Sequence, residues 1–383
     1  MDLRLSGELL SFRDEVRTWL RDNVPERPLA PVTTERGFAE HREWERRLAA
    51  AGLAAVHWPV EHGGRGLDAL SASVFYDEYV RAGAPDRLGR LGLGLVGPTL
   101  MEWGTPRQRE LLPAMLTCDD IWCQGFSEPD AGSDLASLRT RGEVGTDSIR
   151  INGQKVWTSH FRFATWIFAL VRTDPEAPKH RGISYVLIPC DTPGVEFRPI
   201  RQMNDDAEFA ELFLTDVEVP LENVVGGLGN GWKVAMSTLT HERSSNLNTA
   251  AHFHRVLRDA VALIPEARRN DSLVRYEVGR FHEEIEAYRF MTLRTLTEVS
   301  KGEKPGPQAS MGKVWWSELQ TRILEFALSM LASEAEVRSG GLPGATNLFK
   351  HYWMSRASHI YAGSNEIQRN IIAERVLGLP RSA

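Results

Sequence analysis

Gln124-Gly125-Phe126-Ser127-Glu128-Pro129-Asp130-Ala131-Gly132-Ser133-Asp134 is the stretch on which the reading of this chain turns. It crowds hydroxyls, glycines and carboxylates into a short run. Ser127 and Ser133 can donate or accept hydrogen bonds, and Gly125 and Gly132 let a ligand approach the backbone closely. Taken alone it is a polar turn, for which a structural role competes with a binding one.

Upstream, residues 1–117 read as helical. Leu9-Leu10, Phe12-Arg13, Val16 and Trp19-Leu20 recur at helical spacing until Pro25. A second helix carries Trp44, Leu48 and Ala51, and a third runs from Ala69 to Ala82. Trp58 to Gly66 is too rich in glycine for a helix and reads as a loop. Gly92 to Trp103 reads as a tightly packed helix. Thr105 and Pro106 read as the N-cap and first residue of the next one.

Downstream the period shortens. Ile149, Ile151 and Val156 flank Asn152-Gly153, a pair that predicts a tight hairpin turn. Trp166–Val171 and Ile183–Ile188 are β-rich, and Glu211–Pro220 alternates around Leu212, Leu214, Val217 and Val219. Gly226 to Gly231 reads as a flexible junction. It has neither the G-x-G-x-x-G spacing nor the βαβ setting of a dinucleotide loop. From Trp232 the pattern is helical again. Long segments near 232–265, 271–301, 308–336 and 346–373 predict a four-helix bundle. The expected fold is α+β in three domains: helical over 1–118, β and barrel-like over 119–227, helical over 228–383.

With 383 residues, 42% hydrophobic and 25% charged, the chain has the makings of a globular protein with substantial cores. A net charge of -6 argues against nucleic-acid binding. No run approaches a membrane span, and the N-terminus does not read as a secretory signal. Cys118, Cys123 and Cys190 read as free thiols in a reducing, cytoplasmic compartment rather than a metal site. P-loop, HExxH, CxxC-pair and GxSxG motifs are absent, which removes support for hydrolase and metalloenzyme readings.

The chain resembles the acyl-CoA dehydrogenase family over nearly its whole length. Gln124–Asp134 is similar to that family's flavin- and thioester-binding loop. Gln154-Lys155-Val156-Trp157-Thr158-Ser159 is similar to its next flavin-contacting strand. Trp58–Gly66 resembles its early Pro-x-Glu-x-Gly-Gly-x-Gly loop. Tyr361-Ala362-Gly363-Ser364-Asn365-Glu366-Ile367-Gln368-Arg369-Asn370 resembles its C-terminal active-site segment. The resemblance implies FAD as cofactor, an acyl-CoA substrate, an electron-transfer flavoprotein as partner, and an oligomer. It also implies flavin contacts from Gln124, Phe126, Ser127, Trp157, Thr158, Ser159, Ser364 and Glu366, and a thioester contact from Ser133. Read alone, Trp157 is a core aromatic.

The family chemistry needs a carboxylate base, and many members carry a glutamate where this chain has Ala362. Ala362 has no basic atom, but the resemblance implies that its backbone N–H donates to the thioester carbonyl. The second candidate is Glu242 in Leu239-Thr240-His241-Glu242-Arg243. Branches acting on branched, long or bulky acyl groups carry their glutamate at this place, before an arginine that borders the substrate, here Arg243. On a helix, Trp232, Ala235, Met236 and Leu239 form one stripe with Glu242 at its edge. Such a carboxylate is either paired with a cation or functional. An apolar pocket would raise its pKa toward that of a working base. Glu128 and Glu366 fall on positions the family uses for structure or cofactor contact.

The chain departs from the family in two places. An Arg-x-x-Phe-Gly motif, which holds the ADP half of FAD, is missing around Arg268–Arg275. A Gln-x-x-Gly-Gly motif is replaced by Ser333-Glu334-Ala335-Glu336-Val337-Arg338-Ser339-Gly340-Gly341. Both departures resemble a bacterial subgroup of heteromeric enzymes, some acting on sterol side chains. The expectation is therefore a FAD-dependent dehydrogenase with Glu242 as base, working as a homomer or as the catalytic half of a pair with a homologous chain. Two alternatives stand beside it: a flavin monooxygenase or oxidase on the same fold, and a non-catalytic subunit that completes a flavin site.

Overall fold

The structure is a computed structural model. It describes residues 5–245, 250–302, 306–307, 309–331 and 345–380, and the side chains of 242–245 and 345–347 fall outside that description. The Ser333–Gly341 departure therefore lies outside the described residues.

Helices open the chain: α1 (Gly7–Asn23), α2 (Glu35–Ala50), α3 (Ala69–Arg81), α4 (Gly97–Trp103), α5 (Pro106–Arg109) and α6 (Leu112–Leu116). Strands follow: β1 (Trp122–Gly125), β2 (Arg141–Val144), β3 (Ser148–Ser159), β4 (Trp166–Arg172), β5 (Ile183–Pro189), β6 (Val195–Ile200), β7 (Phe209–Pro220) and β8 (Val224–Val225). Helices close it: α7 (Gly231–Ser245), α8 (Ala250–Leu263), α9 (Glu266–Arg269), α10 (Ser272–Ser300), α11 (Ala309–Leu331), α12 (Ala345–Ala357) and α13 (Asn365–Ile371). This is the expected order of helical, β and helical regions. Thr105 caps α5 and Pro106 follows at the first turn, as the sequence predicts, and Gln108 completes a capping box that it did not. Among the described residues no helix is long and apolar enough to cross a membrane.

Two compact units emerge. One holds Pro25–Leu67 and Pro85–Glu242; the other holds Met1–Val24, Asp68–Ala84 and Arg243–Ala383. In sequence, the division inside α7 falls between Glu242 and Arg243.

The first unit is built on the sheet, ordered β6-β7-β3-β2-β4-β5-β8, with β1 parallel to β4. Both faces of its central strands are covered. Ile167, Ala169 and Val171 of β4 join Ile149, Ile151 and Val217 on one face. Phe168 and Leu170 face the helical layer of Trp58, Leu93, Val96, Leu100 and Met115. Burial on both sides explains why β4 and β5 read as continuous apolar runs rather than alternating ones. The Trp58–Gly66 loop anchors here: Trp58 Nε1 donates to Leu93 O at 3.0 Å. A Cβ on Gly97 would sit 2.2 Å from the Trp58 ring, so glycine is required there. The expected helix from Gly92 begins with a π turn, Gly92–Val96, before α4.

Asn152-Gly153 is not a hairpin turn. The β2–β3 hairpin turns just before Ser148, where Gly145 N donates to Ser148 O at 2.8 Å. Asn152 and Gly153 stand inside β3, where the register against β7 shifts. Asn152 clasps Asp216 across that bulge, accepting from its N–H at 2.8 Å and donating to its carboxylate at 3.0 Å. A Cβ on Gly153 would come 2.5 Å from Thr140 Oγ1, so glycine here serves a close approach rather than a turn. Gly226–Gly231 is not a loose junction either. Gly229 N donates to Ser184 Oγ, and Asn230 Nδ2 donates to Gly226 O. A Cβ on Gly231 would strike the Ser184 backbone at 2.4 Å.

The second unit is helical. Phe253 and Leu257 of α8, Phe281, Ile285 and Tyr288 of α10, and Leu319, Ile323 and Leu324 of α11 form its core. Arg17 of α1 binds Glu78 of α3 through two bonds of 2.9 and 2.8 Å. The expected helix over 232–265 is described as α7 and α8 on either side of residues 246–249, which lie outside the described residues. The expected helix over 346–373 is two helices. Its sequence stays polar and apolar at helical spacing, but α12 ends at Ala357 and Ser364 caps α13. Between them Ala362 (φ 54°) and Gly363 (φ 81°) adopt left-handed backbone, which a continuous right-handed helix does not allow.

Candidate active site

The Gln124–Asp134 stretch leaves the end of β1 and crosses the start of the Gln154–Ser159 run on β3. Phe126 packs its ring edge-on against Phe168 and Tyr185, at 5.5 and 5.8 Å. One charge pair stitches loop to strand. Lys155, fully buried, donates to Glu128 Oε1 at 2.8 Å and to Phe126 O at 3.2 Å. Glu128 also accepts from Arg139 N (2.6 Å) and Thr140 N (2.8 Å), and Ser127 O accepts from Val156 N (2.9 Å). Burial raises the Glu128 carboxyl, but Lys155 and the surrounding donors outweigh it and hold it below the usual glutamate value. Burial lowers the Lys155 ammonium to about 8, against the pull of Glu128. Glu128 is therefore a paired carboxylate, held by one ammonium and two backbone N–H groups. Gln124, Ser127 and Ser159 are half-buried, and Ser133 is exposed on the outer part of the loop.

Immediately after Lys155 the strand breaks register with β7. Trp157 turns left-handed (φ 61°) and leaves its indole 56% exposed, meeting Phe209 edge-on at 6.1 Å. Trp157 is thus not a core aromatic. An exposed indole on a left-handed backbone costs free energy that its few protein contacts do not explain, a pattern typical of ligand sites. Thr158 follows, fully buried, and its hydroxyl has no hydrogen-bond partner among the described residues. An orphaned hydroxyl beside an exposed aromatic face suits a flat heteroaromatic ring with a polar edge, so these residues fit an isoalloxazine. Among the described residues no group of histidines, cysteines and carboxylates could hold a metal ion.

Helix α7 carries residue 242. Its most buried positions are Val234, Ala235 and Thr238, with Trp232, Met236 and Leu239 partly buried beside them. The buried face is thus rotated slightly from the stripe expected from sequence. Thr238 Oγ1 meets Thr99 Oγ1 at 2.8 Å, joining α7 to α4. Near its end, His241 Nε2 lies 3.6 Å from Glu102 and 3.5 Å from Ser237 Oγ. Burial holds the His241 imidazole below its usual pKa against the pull of Glu102. Burial, aided by His241 and Arg87, lowers His57 to about 4. Glu242 and Arg243 stand in α7, and their side chains lie outside the described residues.

In the helical unit, Ala362 occupies the left-handed turn before α13. Gln368 Nε2 donates to Ala362 O (3.1 Å) and Gly363 O (3.4 Å). Ser364 accepts from Ile367 N as the cap, and Glu366 stands exposed in the first turn. Glu366 is held below the usual glutamate range, first by its own backbone N–H and then by Ser364. Beneath the turn, Lys313 Nζ donates to Asn365 Oδ1 at 2.7 Å.

Family models for the acyl-CoA dehydrogenase N-terminal, middle and C-terminal domains match residues 6–119, 123–217 and 229–377. The chain belongs to the acyl-CoA dehydrogenase family. It is 44% identical to acyl-CoA dehydrogenase IpdE1 of Mycobacterium tuberculosis, over 97% of this chain and 98% of the relative. It is similar in fold to the Tcur3481-Tcur3483 steroid ACAD, with TM-score 0.88 and 31% identity over 100% of both chains. The ChsE4-ChsE5 complex from Mycobacterium tuberculosis matches with TM-score 0.85 and 30% identity, again over 100% of both. The chain is accordingly an acyl-CoA dehydrogenase, a flavoprotein oxidoreductase that uses FAD.

Sequence reasoning had no role for Lys155, Lys313, His359 or Gln368, the residues that hold the two segments in shape. Lys155 left a trace: it is the one charge among the inward positions of β3, which are otherwise Ile149, Ile151 and Thr158. The others left none, because their partners lie far along the chain or across a turn that the helical period concealed.

Proposed function

We propose that the chain catalyses α,β-dehydrogenation of an acyl-CoA thioester to the 2-enoyl-CoA, with Glu242 as the base that takes the α-proton. Bound FAD supplies the acceptor for the β-hydrogen. The Ala362 N–H donates to the thioester carbonyl oxygen, where negative charge grows as the proton leaves. Gln124, Phe126, Ser127, Trp157, Thr158 and Ser159 hold the flavin ring, with Ser364 and Glu366 contributing from the C-terminal segment. Ser133 lies along the thioester arm and Arg243 borders the substrate. Functional domains divide at 118/119 and 227/228.

The observation that carries this reading is the pairing of an empty position with a filled one. Ala362 offers only a backbone donor in its left-handed turn. Position 242 falls on the same helical face as buried Ala235 and Thr238, seven and four residues earlier. Removal of the C-terminal glutamate and provision of one on α7 belong together chemically, because a site needs one base.

The likenesses to a steroid ACAD and to the paired ChsE4-ChsE5 complex support a bulky, steroid-derived acyl group and assembly with a homologous chain. Three free cysteines support work in a reducing cytoplasm, with an electron-transfer flavoprotein taking the electrons. The test is the visible spectrum of the purified protein during anaerobic addition of butyryl-, isobutyryl-, octanoyl- and steroid side-chain CoA thioesters. The flavin absorption bleaches with the steroid thioester, and Glu242→Gln slows that bleaching by about 10²–10⁴-fold. A colourless protein that gains flavin only with a second homologous chain establishes the paired enzyme. Bleaching that survives Glu242→Gln sinks the assignment of the base.

A further inference from the structure

The turn that presents Ala362 is held by a buried polar chain that the reaction chemistry leaves unassigned. Lys313 of α11 is 7% exposed, and its ammonium donates to Asn365 Oδ1 at 2.7 Å. One helical turn on, Ser317 Oγ donates to the same oxygen at 3.1 Å. Asn365 is itself buried and is the first residue of α13. Its Nδ2 faces His359 Nδ1 at 3.1 Å, and His359 Nε2 faces Thr321 Oγ1 at 2.9 Å. Asn365 N also donates to His359 O at 2.9 Å. Residues 359 and 365 are therefore tied by side chain and main chain, and the turn between them is closed like a loop with a double knot.

The charge on Lys313 orients everything that follows. An ammonium has only donors, so it takes the oxygen of Asn365 and turns the NH2 toward His359. An NH2 facing Nδ1 requires that nitrogen to accept, which places the imidazole proton on Nε2, toward Thr321. Reversing the amide would set NH2 against NH3⁺, so the ammonium alone decides its direction and the imidazole tautomer follows. Lys313 has no carboxylate at hydrogen-bond distance among the described residues. Glu366, Arg369 and Glu318 are the charged groups around it. A buried ammonium bound to an amide instead of a carboxylate is a costly way to brace a helix. It is an effective way to set the direction of one amide.

We propose that Lys313 is a positioning residue for dehydrogenation: through Asn365 and His359 it fixes the left-handed turn that aims the Ala362 N–H at the thioester carbonyl. The inference rests on the reading of Ala362 as the carbonyl donor. A donor misplaced by about 1 Å loses about 100-fold in rate, so a turn with a strained alanine at its centre needs such a clamp.

The test uses the flavin-loaded protein and the thioester of the panel that reduces wild type fastest. Lys313→Met lowers the rate constant of flavin reduction by about 10–100-fold and changes thioester affinity by less than about threefold. Hydrogen exchange followed by mass spectrometry speeds up in the 359–365 segment and stays unchanged in the rest of α11. Lys313→Arg, which keeps the donor and the charge, restores most of both readouts. If Lys313→Met fails to fold, His359→Phe serves instead: it leaves Lys313 paired with Asn365 but removes the side-chain link across the turn, and it is expected to slow reduction in a folded protein. Wild-type rate and exchange in either variant overturn the inference alone. A wild-type flavin that no thioester reduces overturns the proposed function, and this inference with it.

Discussion

Among the described residues two lysines are buried, each beneath a segment of the candidate active site, and they are held differently. Lys155, in the sheet unit, meets a carboxylate whose other acceptor sites are filled by backbone N–H groups. Lys313, in the helical unit, meets the oxygen of an amide, with a serine hydroxyl sharing it. An ion pair is indifferent to which carboxylate oxygen faces the cation, so it fixes position. An amide has unlike ends, so it also fixes direction and passes that direction to the next residue. The loop at Glu128 has to be held in place, whereas the turn at Ala362 has to be aimed.

The comparison breaks most visibly at Lys155. Lys155→Met leaves Glu128 buried without its cation, at a cost of about 3–5 kcal/mol, read as a large fall in the denaturant midpoint. The double variant Glu128→Gln with Lys155→Met recovers much of that loss, because the charge left unpaired is what costs. If the double variant is as unstable as the single one, the lysine acts through packing and the comparison fails.

Next comes pH. Burial lowers the Lys313 ammonium from 10.5 to about 8, and Glu366 and Glu318 offset that only in part. The folded value lies below the unfolded one, so the unfolded chain binds more protons between the two. Stability relative to Lys313→Met is therefore level below about pH 8 and rises toward pH 10.5, by at most ~3 kcal/mol. Melting curves of both proteins from pH 7 to 10.5 check the slope. A difference that stays flat over that range shows the lysine to be better solvated than its burial indicates, and one that shrinks shows Glu366 and Glu318 to outweigh burial.

His359 supplies a smaller effect at the acid end. Burial leads the lowering of its pKa, with Lys313 and Arg356 adding to it. The neutral ring is favoured in the folded state, so its contribution is complete above about pH 6.5 and declines as pH falls below that. Exchange in the 359–365 segment should rise below pH 6 in wild type and less so in His359→Gln. The smallest effect is at Trp157. Trp157→Gly relieves a left-handed backbone worth about 1–2 kcal/mol and loses one ring contact worth about 0.5–1.5, so stability moves by less than about 1.5 kcal/mol. Flavin retention on gel filtration should fall nonetheless, and unchanged retention would remove the indole from the flavin site.

Much of the fold was legible because it is written in local patterns. The N-cap at Thr105, the apolar β4 and β5, and the long helices of the second unit each follow from period and composition. What misled was local chemistry overruled by distant partners. Asn152-Gly153 has the composition of a hairpin turn, but Asp216 on β7 and Thr140 claim it for a bulge. The turn after α12 was missed because its residues keep a helical period, although the chain leaves the helix from 358 to 364, with Ala362 and Gly363 left-handed and Ser364 extended. Trp157 taken alone belongs in a core, and the register break after Lys155 puts it outside. In the candidate site the segments were recognisable, while the side chains that set their geometry were not. Their partners stand tens of residues away.

The interleaving of the two units has a consequence for how the protein is made. Helix α3 buries Ser71, Val74, Phe75, Glu78 and Tyr79, and it packs on α1, α8 and α10. Helix α1 is already present when α3 leaves the ribosome, but α8 begins about 170 residues later. At about 5–20 residues per second, the apolar side of α3 waits ~10–30 s for its cover. The intervening chain can meanwhile complete the sheet around β3 and β4 while the α1–α3 pair still lacks α8 and α10. A newborn molecule of this protein passes through a stage with one half built and a sticky patch on the other, and that interval is where a chaperone would find it.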